Sequence, residues 1–105
     1  MTDAGAAQVD AIRLSPDDNV ATVLRPIAAG ERLRVRCGDA LTAIVAAEAI
    51  QLCHKISLSP IAAGAAVVKY GEPIGETTAA IPAGHHVHVH NMTSARARAG
   101  ARQGG

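Results

Sequence analysis

The stretch IAAGERLRV, Ile27 to Val35, decides how the rest of the chain is read, because its pattern returns three times. It recurs as IAAGAAVVK from Ile61, as IPAGHHVHV from Ile81 and, with a cysteine in place of the glycine, as IQLCHKISL from Ile50. In every copy the isoleucine is followed six residues later by an aliphatic residue: Leu33, Ile56, Val67 and Val87. A repeat this short is one turn and one strand, too small to bury a face alone, so the copies must pack on each other. I-P-A-G suits a β-turn, with Pro82 preset for the second position and Gly84 able to adopt the conformation that ends it. Alternation then sorts each following strand into two faces. The inward phase holds Leu33 and Val35, Ile56 and Leu58, Val67, and Val87 and Val89. The outward phase holds Arg32, Arg34 and Arg36, then Lys55, Ser57 and Ser59, then His86, His88 and His90.

Two positions break the scheme. Lys69 stands where the other copies place Val35, Leu58 and Val89, which predicts either a bulge or an amine at the edge of the core. Cys53 replaces the turn glycine and predicts a different turn in that copy. Between the first two copies, LTAIVAAEAIQL (Leu41 to Leu52) reads as a strand from Leu41 to Ala46 followed by a loop, with a short helix as the alternative. Ahead of the repeats, short strands around Ala11 to Leu14 and Val20 to Leu24 flank SPDDN, a dense turn signal. The sum is an all-β domain of short, bent strands joined by I-x-A-G turns. The division expected is a flexible N-terminus at 1–10, the domain at 11–94 and a disordered Arg/Ala/Gly tail at 95–105.

Length allows one domain and no more. Of 105 residues 49% are hydrophobic, but with 23 alanines, no Phe, no Trp and one Tyr the apolar area for burial is modest, so a partner or a homo-oligomer is expected. The lack of aromatics weighs against base-stacking and sugar-stacking modules. Net charge is +1, and the excess base lies in the tail with Arg96, Arg98 and Arg102, so the body lacks the basic stripe that nucleic acid would require. A secretory leader and an 18-residue apolar run are both lacking, which points to a soluble cytoplasmic protein with no membrane contact. Cys37 and Cys53 match no zinc spacing and are expected to be reduced thiols.

The chemistry that remains is acid, base and metal, since no Ser-His-Asp context, phosphate loop or CxxC is found. His86, His88 and His90 step along one strand face at about 6.6 Å, leaving the outer pair roughly 13 Å apart. One ion could therefore take at most a neighbouring pair, with further ligands from elsewhere, expected from another subunit. The plain alternative is a solvent-facing polar strand, although a solvated face gives no preference to imidazole. Cys53-His54-Lys55 puts a cation beside an imidazole, a pair that could grip a carboxylate and move a proton. Lys69, followed by Tyr70, reads equally as a snorkelling lysine. Asp17, Asp18 and Asn19 read first as turn formers.

PDDNVATVLRPIAAG, HKISLSPIAAGAAVVKYGEPIG and IPAGHHVHVHN together resemble the SAF-type (β-clip) domain of the altronate and galactarate dehydratases, from about Ile12 to Asn91. In that family the domain also occurs as a separate small subunit, including the alpha subunit of (2R)-sulfolactate sulfo-lyase. The resemblance implies a lyase subunit acting by β-elimination on a sugar acid or related 2-hydroxy acid such as sulfolactate. It also implies a divalent metal (Fe2+, Mn2+ or Mg2+), held mainly by the large subunit, and a site shared with that large catalytic subunit. The chain alone would then be inactive. Carried over residue by residue, it implies catalytic roles for His54, Lys55 and Lys69, substrate contacts for Asn91, Tyr70 and Asn19, and metal contacts for His88 and His90, with Asp18 in the first motif. The sequence departs from the family at Cys53, where glycine is usual, and in the bulk of His85 and His86. The competing readings are a non-catalytic SAF-type binding or assembly module and a free-standing metal-binding protein.

Overall fold

Isoleucine heads each copy of the repeat, and in the structure the copies pair off through it. The amide and carbonyl of Ile27 bond reciprocally to those of Ile50 at 2.8 and 2.9 Å, and Ile61 does the same with Ile81 at 2.8 Å in both directions. All four side chains are buried. The structure, a computed structural model, describes residues 9–94. The disordered tail expected at 95–105 and residues 1–8 of the expected flexible N-terminus lie outside them. Asp10, placed in that flexible segment by the sequence, donates its N–H to the Arg34 carbonyl and accepts the Arg34 N–H.

Nine strands and no helix occur among the described residues: β1 (Ala11–Ile12), β2 (Val20–Val23), β3 (Arg32–Cys37), β4 (Ala40–Val45), β5 (Lys55–Ser57), β6 (Ala66–Lys69), β7 (Glu72–Thr77), β8 (His86–Val87) and β9 (Met92–Ser94). They form a mixed six-stranded sheet, in the order β4-β3-β1-β2-β5-β8, and a three-stranded antiparallel sheet, β6-β7-β9. The segment after Cys37 is thus a strand and then a loop, and the helix alternative fails. The all-β SAF architecture expected from the turn-strand repeat is the one observed.

Two cores follow from the pairing of the isoleucines. Ile27 and Ile50 pack with Ala11, Ala21, Val23, Leu33, Val35, Ala46 and Ile56, whereas Ile61 and Ile81 pack with Val20, Val67 and Val87. β2 joins the two, because Val20 faces one cluster and its neighbours Ala21 and Val23 the other. Each fully buried Ile, Leu or Val adds about 1.5–3 kcal/mol, so a core this thin in large side chains needs every one of them. The inward phase holds for Leu33, Val35, Ile56, Val67 and Val87 and fails for Val89, which is 77% exposed. The strand ends at Val87, and the alternation ends with it. Ser57, expected outward, is fully buried: its Oγ donates to the Pro82 carbonyl at 2.7 Å and accepts the His85 N–H at 3.0 Å, pinning the fourth turn onto β5.

Lys69 ends β6 beyond a register shift between Val67 and Val68, so the bulge expected from its broken phase is present. The expectation of a different turn at Cys53 is corrected. Cys53 has φ of 72°, alongside 88° at Gly30, 79° at Gly64 and 84° at Gly84, so all four turns use the left-handed region. Without glycine there the side chain crowds its own backbone, a cost of roughly 1–2 kcal/mol. Cys53→Gly is therefore expected to raise the urea midpoint, by up to about 1 kcal/mol after glycine's greater unfolded-state entropy is counted. Gly84→Ala is expected to do the reverse and far more strongly, because an added Cβ would collide with the Val45 carbonyl oxygen. Equal midpoints for the two variants would contradict this account.

Candidate functional site

Strand pairing brings the second and fourth repeat copies side by side. β5 runs antiparallel to β8 with Lys55 opposite Val87 and Ile56 opposite His86, so His54 arrives beside the histidine-rich segment from 32 residues away. Nδ1 of His54 lies 2.7 Å from Nε2 of His86. The His54 ring stacks on His88 with centroids 3.9 Å apart, and His90 lies over His86 at 4.9 Å. Nitrogens of His54, His86 and His88 all fall within 4.8 Å of one another. The spacing of about 13 Å expected between His86 and His90 on a continuous strand is thus replaced by ring contact, because the chain turns.

Asn91 makes that turn. Beyond Val87 no strand continues the ladder, and the Asn91 side chain takes its place: Nδ2 donates to the His86 carbonyl at 2.8 Å and Oδ1 accepts the His88 N–H at 3.0 Å. The Asn91 N–H closes the loop on the His88 carbonyl. Glu48 holds the other side, accepting from the His86 N–H and pairing with His85 Nδ1, each at 3.1 Å. Burial opposes the Glu48 charge, but the His86 N–H and His85 outweigh it and hold the carboxyl below its usual value. Glu48 was not among the sequence candidates. Its one sequence signal is that it is the only formal charge between Asp39 and Lys55.

Burial, followed by the neighbouring imidazoles, lowers the pKa of His86; burial, His54 and Lys55 lower that of His88. Both rings are thus biased toward the neutral form that offers a lone pair. Lys55 also falls below its ordinary value, through burial first and then the charge of Lys69. Lys55 therefore senses Lys69, and His88 senses Lys55, so six basic groups from three repeat copies share one region. Tyr70 projects beside them at the tip of the β6–β7 hairpin, 72% exposed.

Asp18 and Asn19 serve this region from behind. Asp18 is buried and accepts the N–H groups of Tyr70 and Gly71 at 2.8 Å, and that of Ser15 at 3.1 Å. Tyr70 and Gly71 both have positive φ, so the hairpin turns through two left-handed residues whose amides Asp18 collects. Burial raises the Asp18 carboxyl, yet the backbone N–H bonds overcome it and leave the pKa lowered. Asn19 donates to the Ala66 carbonyl and accepts from the Val68 N–H, clamping β6.

Three imidazole nitrogens suit a divalent ion. Bonds of about 2.0–2.1 Å to a tetrahedral centre place ligand nitrogens roughly 3.4 Å apart, against nitrogens here that all lie within 4.8 Å of one another. His54, which the sequence reading did not count among the metal contacts, lies in this chain beside His86 and His88, where further ligands were expected from another subunit.

Residues 9–95 match the family described as the altronate/galactarate dehydratase SAF domain. The chain belongs to that family. This SAF domain is 40% identical over 80 residues to the altronate dehydratase of Bacillus subtilis (strain 168) and 42% identical over 80 residues to that of Escherichia coli (strain K12). Either match covers 76% of the chain and 15% of the relative, so the chain spans about one-seventh of these enzymes. It is 32% identical over 91 residues to the (2R)-sulfolactate sulfo-lyase subunit alpha of Chromohalobacter salexigens, covering 84% of the chain and 97% of that subunit. The SAF domain is thus related to lyases and lyase subunits.

The Asp18 contacts make a testable claim about pH. Its lowered carboxyl contributes stability that is present above the unfolded value of about 3.9 and is lost as pH falls through the lower folded value. Asp18→Asn should cost about 1–3 kcal/mol at pH 7, since three amides lose a charged acceptor. The gap from the parent should narrow below about pH 4. Urea midpoints at pH 7 and pH 3 measure this.

Proposed function

We propose that this SAF domain acts as the small subunit of a metal-dependent lyase that performs β-elimination on a sugar acid or related 2-hydroxy acid. In this reading it lends residues to a site shared with a large subunit. The observation that carries the reading is the convergence of His54, His86 and His88 next to Lys55 and Lys69, in a family whose named relatives are altronate dehydratases and a sulfolactate sulfo-lyase subunit.

His54, His86 and His88 are the ligands, with His90 packed over His86. Such an ion would supply Lewis-acid charge to the hydroxyl and carboxylate oxygens of the substrate, and an all-imidazole set suits Fe2+ better than Mg2+. Lys55, with its ammonium disfavoured by burial and by Lys69, is the base that takes the proton α to the carboxylate. Lys69 holds the carboxylate as negative charge develops. The α-proton passes to Lys55 Nζ while the bond from the β-carbon to hydroxide or sulfite breaks, and the protonated lysine returns a proton to the leaving group. Asn91 and Asn19, both already bonded to backbone, act as positioning residues, whereas Tyr70 is exposed and available to substrate or partner.

The test mixes the purified chain with its candidate large subunit and follows 2-keto acid or sulfite release from altronate, galactarate and sulfolactate. Neither component alone is expected to turn over. Lys55→Met is expected to lower kcat by about 100-fold or more with little change in KM. His54→Ala and His88→Ala are expected to abolish ion uptake in calorimetry of the isolated chain. Full turnover by the large subunit alone, indifferent to His88→Ala in this chain, would leave a non-catalytic binding module as the better reading.

A further inference from the structure

A sheet edge displays unpaired N–H and C=O groups, and proteins blunt such edges with charge, proline, bulges or cover. Three of the four edge strands among the described residues are blunted. β8 is two residues long and is closed by Asn91. β6 carries a bulge and is covered by Asn19. β9 is three residues long.

β4 has none of these devices. It is six residues, ALTAIV, without charge or proline, and pairs in unbroken register with β3. The orientation of its backbone follows from the far side of β3. The carbonyls of Arg34 and Arg36 accept from Asp10 and Arg13, and the Arg34 N–H goes to the Asp10 carboxylate, so these residues turn toward β1. Their cross-strand partners Ala43 and Leu41 therefore form the pairs without mutual hydrogen bonds, and direct N–H and C=O away from the sheet. Leu41 and Val45 are 47% and 56% exposed. Arg36, Arg34 and Arg32 lie directly opposite Leu41, Ala43 and Val45 and share their face. An open groove of about 830 Å³ runs there, lined by Arg32, Arg34, Leu41, Thr42 and Ala43 and by Arg25, which is already paired with Asp10 and Glu31.

The strand also leads to the histidines. Gly84 packs on the Val45 carbonyl, the Ala47 N–H donates to the Gly84 carbonyl, and Glu48 holds His85 and His86. Anything lying along Leu41 to Val45 is thus directed at the site.

We propose that β4 is a docking edge, to which an extended segment of the large subunit adds as a further strand, with carboxylate side chains reaching over Leu41 and Val45 to Arg36 and Arg32. This rests on the small-subunit reading above. Charge selects the occupant, since a second copy of this chain would bring another Arg32 and Arg36 to the same face, and acidic side chains would pair with these two. Anchoring at β4 leaves the histidine and lysine groups open to substrate.

The test uses the complex of full chain and large subunit. Ala43→Pro removes one outward N–H without touching a bond to β3, and Leu41→Lys leaves the backbone intact but adds charge at the edge. Each is expected to weaken association by about tenfold or more. Arg32→Glu is expected to weaken it and to flatten its salt dependence. Circular dichroism and urea midpoints of Leu41→Lys and Arg32→Glu should match the parent, which separates docking from folding. Unchanged affinity in Leu41→Lys and Arg32→Glu would overturn the docking edge while leaving the small-subunit reading in place. Self-association of the parent chain that Leu41→Lys abolishes would overturn it in favour of a second copy. Failure of the parent to bind the large subunit at all would overturn both.

Discussion

Every element of this domain depends on a chain reversal that uses one residue in the left-handed region, three positions after a buried isoleucine. The turn sets the isoleucine back to back with that of a sister copy, and the reciprocal bonds of Ile27 with Ile50 and Ile61 with Ile81 fix two such pairs. A chain with so little aromatic volume could not organise a core from bulk alone. Its aliphatic side chains must be placed by backbone bonding, and the turns do this. The same reversal delivers the site, for His54 and His85 each follow directly on the left-handed residue, Cys53 or Gly84. The histidines converge because two copies of one turn face each other across β5 and β8.

Much of this was legible because the repeat is local. The turn-strand units, the strand from Leu41 onward, the bulge ahead of Lys69 and the all-β class follow from spacing, alternation and glycine placement. The family resemblance was legible in the joined motifs. What sequence left hidden comes from side chains that bond to backbone over distance. Asn91 replaces a missing strand and curls His88 to His90 back over His86, so a period of two residues extrapolated past Val87 fails. Ser57 is buried because the Pro82 carbonyl and the His85 N–H both bond it, which no alternation rule anticipates. His54 joins the cluster only through the pairing of β5 with β8, and one chain read alone does not contain that pairing. Cys53 misled in the opposite direction. Its neighbours in the fold force the glycine-like conformation on it regardless of its side chain.

The electrostatics of the site argue for what must complete it. Four imidazoles and two lysines meet with one carboxylate, Glu48, engaged, and that carboxylate is turned to His85 and to the His86 amide rather than to the ring nitrogens of the trio. The basic groups depress one another: Lys69 acts on Lys55, Lys55 on His88, and His54 on both His86 and His88. A cluster kept short of protons in this way holds lone pairs at low cost, and its positive potential is offset only in part by Glu48, which acts on His86. A metal ion alone would raise that potential further. In the proposed reaction, a 2-hydroxy acid arriving with the ion would relieve it, pairing its carboxylate with Lys69 and setting its α-carbon beside Lys55. In the proposed reading, metal and acid would thus bind better together than either alone, the coupling that an elimination building negative charge next to a carboxylate would require.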